Sequence, residues 1–142
     1  AAALIVTARK EQPIETTDEL VSLMKPIAGR GKENKYLAQL FQALRIEVNQ
    51  ELEALKELLI QCVDVLKPGG RLVVLSYHSL EDKLVKNFFR AGNWTGEVTK
   101  DFYGNPIVPL EVFNRKPITP GEIELEKNPR SRSARLRIAK KI

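Results

Sequence analysis

The chain has 142 residues, of which 43% are hydrophobic and 29% are charged, and this composition predicts one ordinary domain with an apolar core. No apolar run reaches the roughly 20 residues that a membrane-spanning helix needs, and we interpret the apolar start at Ala1–Val6 as helix rather than secretory signal. The single cysteine, Cys62, excludes an internal disulfide framework and a multi-cysteine metal site. We expect a buried, unreactive thiol in a reducing cytoplasm.

The positive charge lies at the end of the chain. Residues 115–142 contain nine Lys or Arg and three Glu, which gives this segment a net charge of +6. Because the whole chain has a net charge of +5, the remaining residues carry −1. A basic tail on a nearly neutral body favours a polyanionic partner, and a solvated basic surface is the alternative.

The first half of the chain is predicted to be helical. An Ala-rich helix over residues 1–11 breaks at Gln12-Pro13, and Thr16–Glu19 has the form of a capping box that starts a second helix. Residues 29–32 form a basic loop. Apolar residues at three- and four-residue steps predict helix from Asn34 to Leu66, with a break near Gln50 because 30 residues is long for one helix. Its apolar stripe includes Leu37, Leu40, Phe41, Leu44, Val48, Leu52, Leu55, Leu59, Cys62, Val63 and Leu66.

The second half combines strands and helices, so we predict an α/β fold. Pro68-Gly69-Gly70 ends the long helix, and the β-branched run Arg71–Tyr77 is typical of a strand buried on both faces of a parallel sheet. A helix follows from His78 to Ala91, with its buried side predicted at Leu80, Leu84, Val85, Phe88 and Phe89. After a long loop over residues 92–110 we predict a short strand at 111–114, a turn at 117–120, a short helix at 120–127 and a last strand at 133–139.

Four stretches carry a family resemblance. Leu66–Val73, with its Lys-Pro-Gly-Gly turn, is similar to the entry to the fifth strand of class I methyltransferases. The order and spacing of three further stretches closely resemble the bacterial small-subunit ribosomal RNA methyltransferase H family, also called MraW; they are Phe41–Leu52, Ser76–Asp82 and Asn128–Arg137. Pro13–Thr17 and Lys116–Pro120 match that family too.

The resemblance implies an S-adenosylmethionine-dependent enzyme that methylates the N4 amine of a cytidine in small-subunit ribosomal RNA. It implies a partial Rossmann-like methyltransferase sheet, in which residues 67–142 supply the last three strands. Residues 1–66 would be the later part of an inserted helical, substrate-recognition domain and the helix that leads back to the sheet. The small-subunit RNA or the 30S subunit is the expected partner, with no membrane, in the cytoplasm.

The chain also departs from the family pattern. It has no Gly-x-Gly loop after an early strand and no acidic residue at the end of a second strand to hold the ribose hydroxyls. We therefore expect no cofactor-binding residue and no metal site in this chain, and no methyltransferase activity from the chain alone. A sheet cut after its fourth strand would leave an unpaired edge and expose the apolar faces of the fifth strand, so we expect dimerisation or strand exchange.

The candidate substrate-side residues are Ser76, His78 and Ser79. They follow the first predicted strand, at the end where α/β enzymes place their ligands. The alternative is a helix start in which Ser79 caps the helix and Asp82 completes the capping box. The catalytic residues themselves are not identified.

Arginines dominate the candidate RNA-binding residues. Arg45 and Asn49 share a helix face with Phe41, which suits stacking and phosphate binding, or Arg45 pairs with a carboxylate such as Glu51. Arg135 and Arg137 share one face of the last predicted strand, and Arg130 and Arg132 precede it. We expect these four arginines to bind RNA. The alternatives are a solvated sheet edge and internal ion pairs with Glu122, Glu124 and Glu126.

Three aromatic residues in the long loop, Trp94, Phe102 and Tyr103, form a small satellite core or stack on bases. Two other functions remain open for the whole chain. One is a non-enzymatic RNA- or ribosome-binding module with methyltransferase-like architecture, and the other is a helical protein-interaction scaffold.

Overall fold

The computed structural model describes residues 1–142 and has a mixed α/β structure. The chain divides into two compact units, residues 1–51 and residues 52–142. The boundary at residue 66 that the sequence suggests refers to domains of the family and stays a prediction.

The first unit is helical. It contains α1 (Ala2–Glu11), α2 (Thr17–Met24) and α3 (Glu33–Asn49), with one turn of 3₁₀ helix at Lys25–Ile27. The predicted capping box is confirmed, because Thr16 Oγ1 accepts from Glu19 N at 3.2 Å and Thr16 N donates to Glu19 Oε2 at 3.0 Å. The predicted break at Gln12 is confirmed too, since its backbone is extended ahead of Pro13.

Gln50 separates α3 from α4 (Glu51–Val65), as predicted. Its φ of 49° lies in the left-handed region, which residues other than Gly, Asn and Asp rarely adopt, and this conformation ends α3. The apolar stripe predicted on α3 is wrong at its C-terminal end, because Val48 is 80% exposed and no residue of α3 is buried.

The sheet of the second unit has three strands, β1 (Arg71–Ser76), β2 (Leu110–Val112) and β3 (Arg135–Lys141). β3 lies in the middle and is antiparallel to both neighbours, in the order β1-β3-β2, so β1 and β2 run in the same direction. The prediction that β1 pairs in a parallel sheet is therefore wrong for the strand beside it. The alternative that Arg135 lies on a solvated sheet edge is also wrong, because β3 is the central strand.

One face of β1 is covered and the other is open. Leu72 and Val74 pack against the core, whereas Val73 and Leu75 are 54% and 49% exposed. Arg71 shares the open face, with its guanidinium 5.4 Å from the centre of the Phe113 ring. Burial of β1 on both faces, predicted from its apolar run, is therefore wrong within this chain.

The core of the second unit lies between the sheet, α4 and α5 (Ser79–Ala91). Its fully buried members come from all of these elements; they are Leu59, Val85, Phe88, Phe89, Leu110 and Ala139. Burying a side chain such as Phe89 contributes about 2 kcal/mol. Leu80, predicted on the buried side of α5, is instead half exposed, and Cys62 on α4 is half-buried rather than buried.

The turn from α4 into β1 uses its glycines as predicted. Gly69 has a φ of 83°, and its N donates to Lys141 O at 2.9 Å, while Lys141 N donates to Gly70 O at 2.8 Å. A Cβ on Gly70 would lie 2.9 Å from Lys67 O, so a side chain does not fit there. The turn thus fastens the start of β1 to the end of β3.

The loop over residues 92–109 is held at one end by Trp94. Its ring stacks on Phe88 at 4.9 Å, and its carbonyl accepts from Asn87 Nδ2 at 2.7 Å, so Trp94 belongs to the main core. Phe102 and Tyr103 are 97% and 86% exposed, and the predicted satellite core is wrong for both. α6 (Glu122–Lys127) and a 3₁₀ turn (Pro129–Ser133) lead into β3.

None of the helices combines the length and the hydropathy that spanning a lipid bilayer requires.

Candidate functional site

Ser76, His78 and Ser79 lie at the carboxyl end of β1 and the start of α5, and Ser76 lies beside Arg135 of β3. Ser76 is buried and pairs with Arg135 in the sheet, and its Oγ donates to Arg135 O at 3.3 Å. In this structure the Ser76 hydroxyl therefore has a structural partner.

His78 itself is the N-cap of α5. Its Nδ1 accepts from Glu81 N at 3.4 Å, and Glu81 Oε2 in turn accepts from His78 N and Tyr77 N. An Nδ1 that accepts places the proton of a neutral ring on Nε2. Nε2 lies 3.2 Å from Glu81 Oε1, but the two are not aligned for a hydrogen bond, and Nε2 is buried without one. The predicted cap by Ser79 is wrong, since Ser79 is the first helical residue.

Asp82 does not complete a capping box as predicted; it binds two arginines of β3. Arg137 donates from Nε to Oδ1 at 2.7 Å and from its Nη2 atom to Oδ2 at 3.1 Å, and Arg135 donates to Oδ2 at 3.0 Å. Asp82 and Arg137 are both buried, so this bidentate ion pair is shielded from water. Burial alone raises the pKa of Asp82, but the hydrogen bonds and charges of both arginines outweigh it and hold that pKa below its usual value.

This pairing divides the four predicted RNA-binding arginines into two kinds. Arg135 and Arg137 have an internal carboxylate partner, although it is Asp82 rather than Glu122, Glu124 or Glu126. Arg130 and Arg132 are exposed and have no carboxylate within 4.0 Å. Ser131 between them is buried and donates from Oγ to Asn128 O at 2.8 Å, which holds the turn that carries them.

Arg45 and Asn49 lie in the first unit, on the last turns of α3. Arg45 Nε is 2.8 Å from Glu51 Oε1, and Asn49 Nδ2 donates to the same oxygen at 3.2 Å. The alternative that Arg45 pairs with Glu51 is therefore confirmed. The Arg45 side chain is still more than half exposed, and its RNA contact stays a prediction.

A group of cations beside this site was not predicted from the sequence. Lys86, Arg90, Arg115 and Arg137 line a cavity of about 550 Å³ that α5 forms with the end of β2 and with β3. A signal was present in the four-residue spacing of Lys86 and Arg90, which places both on one face of a helix. The approach of Arg115 and Arg137 from other elements was not visible in the sequence.

Comparisons with known proteins agree with the resemblance. The model of the MraW methylase family matches residues 1–142. The ribosomal RNA small subunit methyltransferase H of Bacteroides fragilis is 57% identical over 140 residues, which are 99% of this chain and 46% of that protein. Those of Parabacteroides distasonis and Christiangramia forsetii are each 55% identical over 141 residues, again 99% of this chain and 46% of theirs. The chain thus spans about half the length of these relatives, and it belongs to the MraW methylase family.

Proposed function

We propose that this chain is the C-terminal portion of an enzyme that transfers a methyl group from S-adenosylmethionine to the N4 amine of a cytidine in small-subunit ribosomal RNA. The observation that carries the proposal is the match over 99% of the chain to relatives that are named ribosomal RNA small subunit methyltransferase H. The 30S subunit or its RNA is then the partner, and the cytoplasm is the place of action.

We further propose that the three strands are the end of a larger Rossmann-like sheet. β1 and β2 run in the same direction, so both point toward the edge of the sheet at which β1 ends, and α/β enzymes bind ligands at such an edge. β1 pairs on one side only and leaves its other edge open to a further strand.

RNA contacts are assigned to the exposed basic residues. Arg130 and Arg132 carry charge that no carboxylate of this chain offsets, and arginine suits phosphate and bases. Arg135 is about half exposed beside Asp82 and can still turn a face to RNA, whereas Arg137 is held in the interior. The exposed Phe102 and Tyr103 are suited to stacking on unpaired bases.

The residues of this chain do not fit the cofactor by themselves. The turn from β1 to α5 contains no glycine, and the cap at His78 and the carboxylate of Glu81 occupy the start of the helix. We therefore expect the 142-residue chain alone to transfer no methyl group. The methyl donor would supply the electrophilic methyl, while Ser76, His78 and Ser79 would lie on the substrate side.

A chimeric enzyme tests the function. This chain would replace the matching part of the Bacteroides fragilis relative, and 30S subunits from cells that lack the enzyme would be incubated with tritium-labelled S-adenosylmethionine. We expect label on a cytidine N4 with the chimera and none with the 142-residue chain. A folded chimera that binds the cofactor but leaves the RNA unlabelled would contradict the proposal and favour a non-enzymatic RNA-binding module. Methyl transfer by the 142-residue chain would contradict the expected inactivity.

A further inference from the structure

The cavity beside α5 is unusual in its charge. Of the side chains that line it, four are cationic and none is acidic. Its volume of about 550 Å³ lies within the range of ordinary ligand sites. Lys86 and Arg90 come from the second half of α5, and Arg115 follows β2.

Only one of the four cations is neutralised. Asp82 holds Arg137 by two hydrogen bonds, whereas Lys86, Arg90 and Arg115 have no carboxylate within 4.0 Å. Like charges gathered at one cavity repel each other, and an anion inside it would relieve that repulsion. The same charges disfavour a cationic ligand such as a sulfonium.

The cavity also has a buried back and an exposed rim. Phe89 is buried and Asp82 holds Arg137 by hydrogen bonds, while Lys86, Arg90 and Arg115 are exposed. Exposed cations suit a charge that is presented on an open strand, because the rest of the strand can remain in solvent. Arg130 and Arg132 add unpaired positive charge in the same unit.

We infer that this cavity binds one backbone phosphate of a single RNA strand, through Lys86, Arg90 and Arg115. The inference rests on the proposed function for its RNA, but it names residues and a cavity that the resemblance does not supply. A free phosphate ion offers the same chemistry, so the test has to separate the two sources.

The test compares two triple variants of the 142-residue chain. K86A/R90A/R115A removes the three cavity cations, and K67A/K83A/K100A removes three exposed lysines of the same unit that have no carboxylate partner. Binding of a short labelled single-stranded RNA is followed by fluorescence anisotropy at several salt concentrations. We expect the cavity variant to bind the RNA about tenfold more weakly. The plot of log K against log salt should become less steep by about 0.7, the value for one phosphate contact, while the control variant keeps the parent's slope.

Equal losses in both variants, or none in either, would overturn the inference and leave RNA binding by other residues intact. Isothermal titration with inorganic phosphate identifies the source. If phosphate binds the parent but not the cavity variant while both triple variants bind RNA equally, the ligand is a free anion. If phosphate binds the parent but not the cavity variant, and the parent binds no RNA, the anion site stands and the RNA substrate of the proposed function is contradicted. If neither phosphate nor RNA binds the parent, the cavity is not an anion site. Should K86A/R90A/R115A fail to fold, K86E and its control K83E, on the same helix, replace the triple variants.

Discussion

Asp82 joins α5 to β3 through two arginines, and this cluster determines what a change at that residue costs. The substitution D82N removes the charge and leaves the guanidinium of Arg137 buried without an anion. Breaking a buried pair in this way costs about 3–5 kcal/mol. We expect a loss of that size in the free energy of unfolding by urea, followed by the fluorescence of the single tryptophan, Trp94, which lies in the same core. The control E53Q, at an exposed pair with Lys56, should change stability by less than about 1 kcal/mol.

The lowered pKa of Asp82 gives the same cluster a pH dependence. A carboxyl whose pKa is lower in the folded state stabilises the fold above its unfolded pKa, near 3.8, and this contribution is lost as the pH falls through the folded value. The difference in stability between parent and D82N should therefore shrink below that pH. Glu19 and Asp101 also have lowered pKa values, so only this difference isolates Asp82. A difference that stays constant with falling pH would show that the loss in D82N comes from packing.

His78 is the residue for which a structural and a functional role can be separated. As an N-cap its ring nitrogen can be replaced by the oxygen of Asn, so H78A should lose about 1 kcal/mol of stability and H78N should restore most of it. S79A is the control, since Ser79 is not the cap, and should change stability by less than about 0.5 kcal/mol. Urea unfolding measures the stability of all three. If H78N proves as unstable as H78A, the capping role is contradicted; if H78N is stable but abolishes methylation by the chimera, His78 has the substrate-side role as well.

Contacts between residues that are close in the sequence could be predicted, and contacts between distant residues could not. The capping box of Thr16 and Glu19 could be predicted because both partners lie within one helical turn and are the preferred residues. His78 was not identified as a cap, since histidine is not among those preferred residues. The partner of Arg137 is Asp82, 55 positions away, and only the pairing of strands and helices brings them together.

Among the connections between elements, the turn at Gly69 and Gly70 is the one that most constrains side chains. G69A would place an L side chain at a φ of 83°, which costs about 1–2 kcal/mol. We expect urea unfolding to show that loss in the free energy of unfolding. Part of the loss would come from weaker hydrogen bonds between this turn and the backbone of Lys141. The control is G121A, where φ is −77° and a Cβ meets nothing within 4 Å, and it should cost less than about 1 kcal/mol at the N-cap of α6. Equal stability of G69A and the parent would show that this turn relaxes to another conformation.

The kinds of element and the helix break were predictable from the sequence, and the exposure of β1 was not. The apolar run Leu72–Leu75 marks a strand, and helical periodicity with length marks the break near Gln50. An apolar run does not say which of its faces this chain itself covers. Nor does it show the direction of the neighbouring strand, which here comes from residues more than 50 positions later.

The open side of the sheet has a consequence for the whole molecule. Val73 and Leu75 lie on the outer face of β1, which is also an edge strand, and half of each side chain is exposed. An apolar face beside unpaired backbone groups favours pairing with another strand. We therefore propose that the 142-residue chain self-associates through β1 of two copies.

The variant V73K/L75K tests this proposal, because two charges on the outer face oppose the approach of a second β1 without touching the core side of the strand. Sedimentation velocity over a range of concentrations should show a dimer for the parent and a monomer for this variant. The control V65K places a lysine at an exposed valine at the end of α4, outside the sheet, and should leave the dimer intact. A parent that stays monomeric at high concentration would contradict the proposal. A dimer that persists in V73K/L75K and dissociates in V65K would move the interface from the sheet to α4.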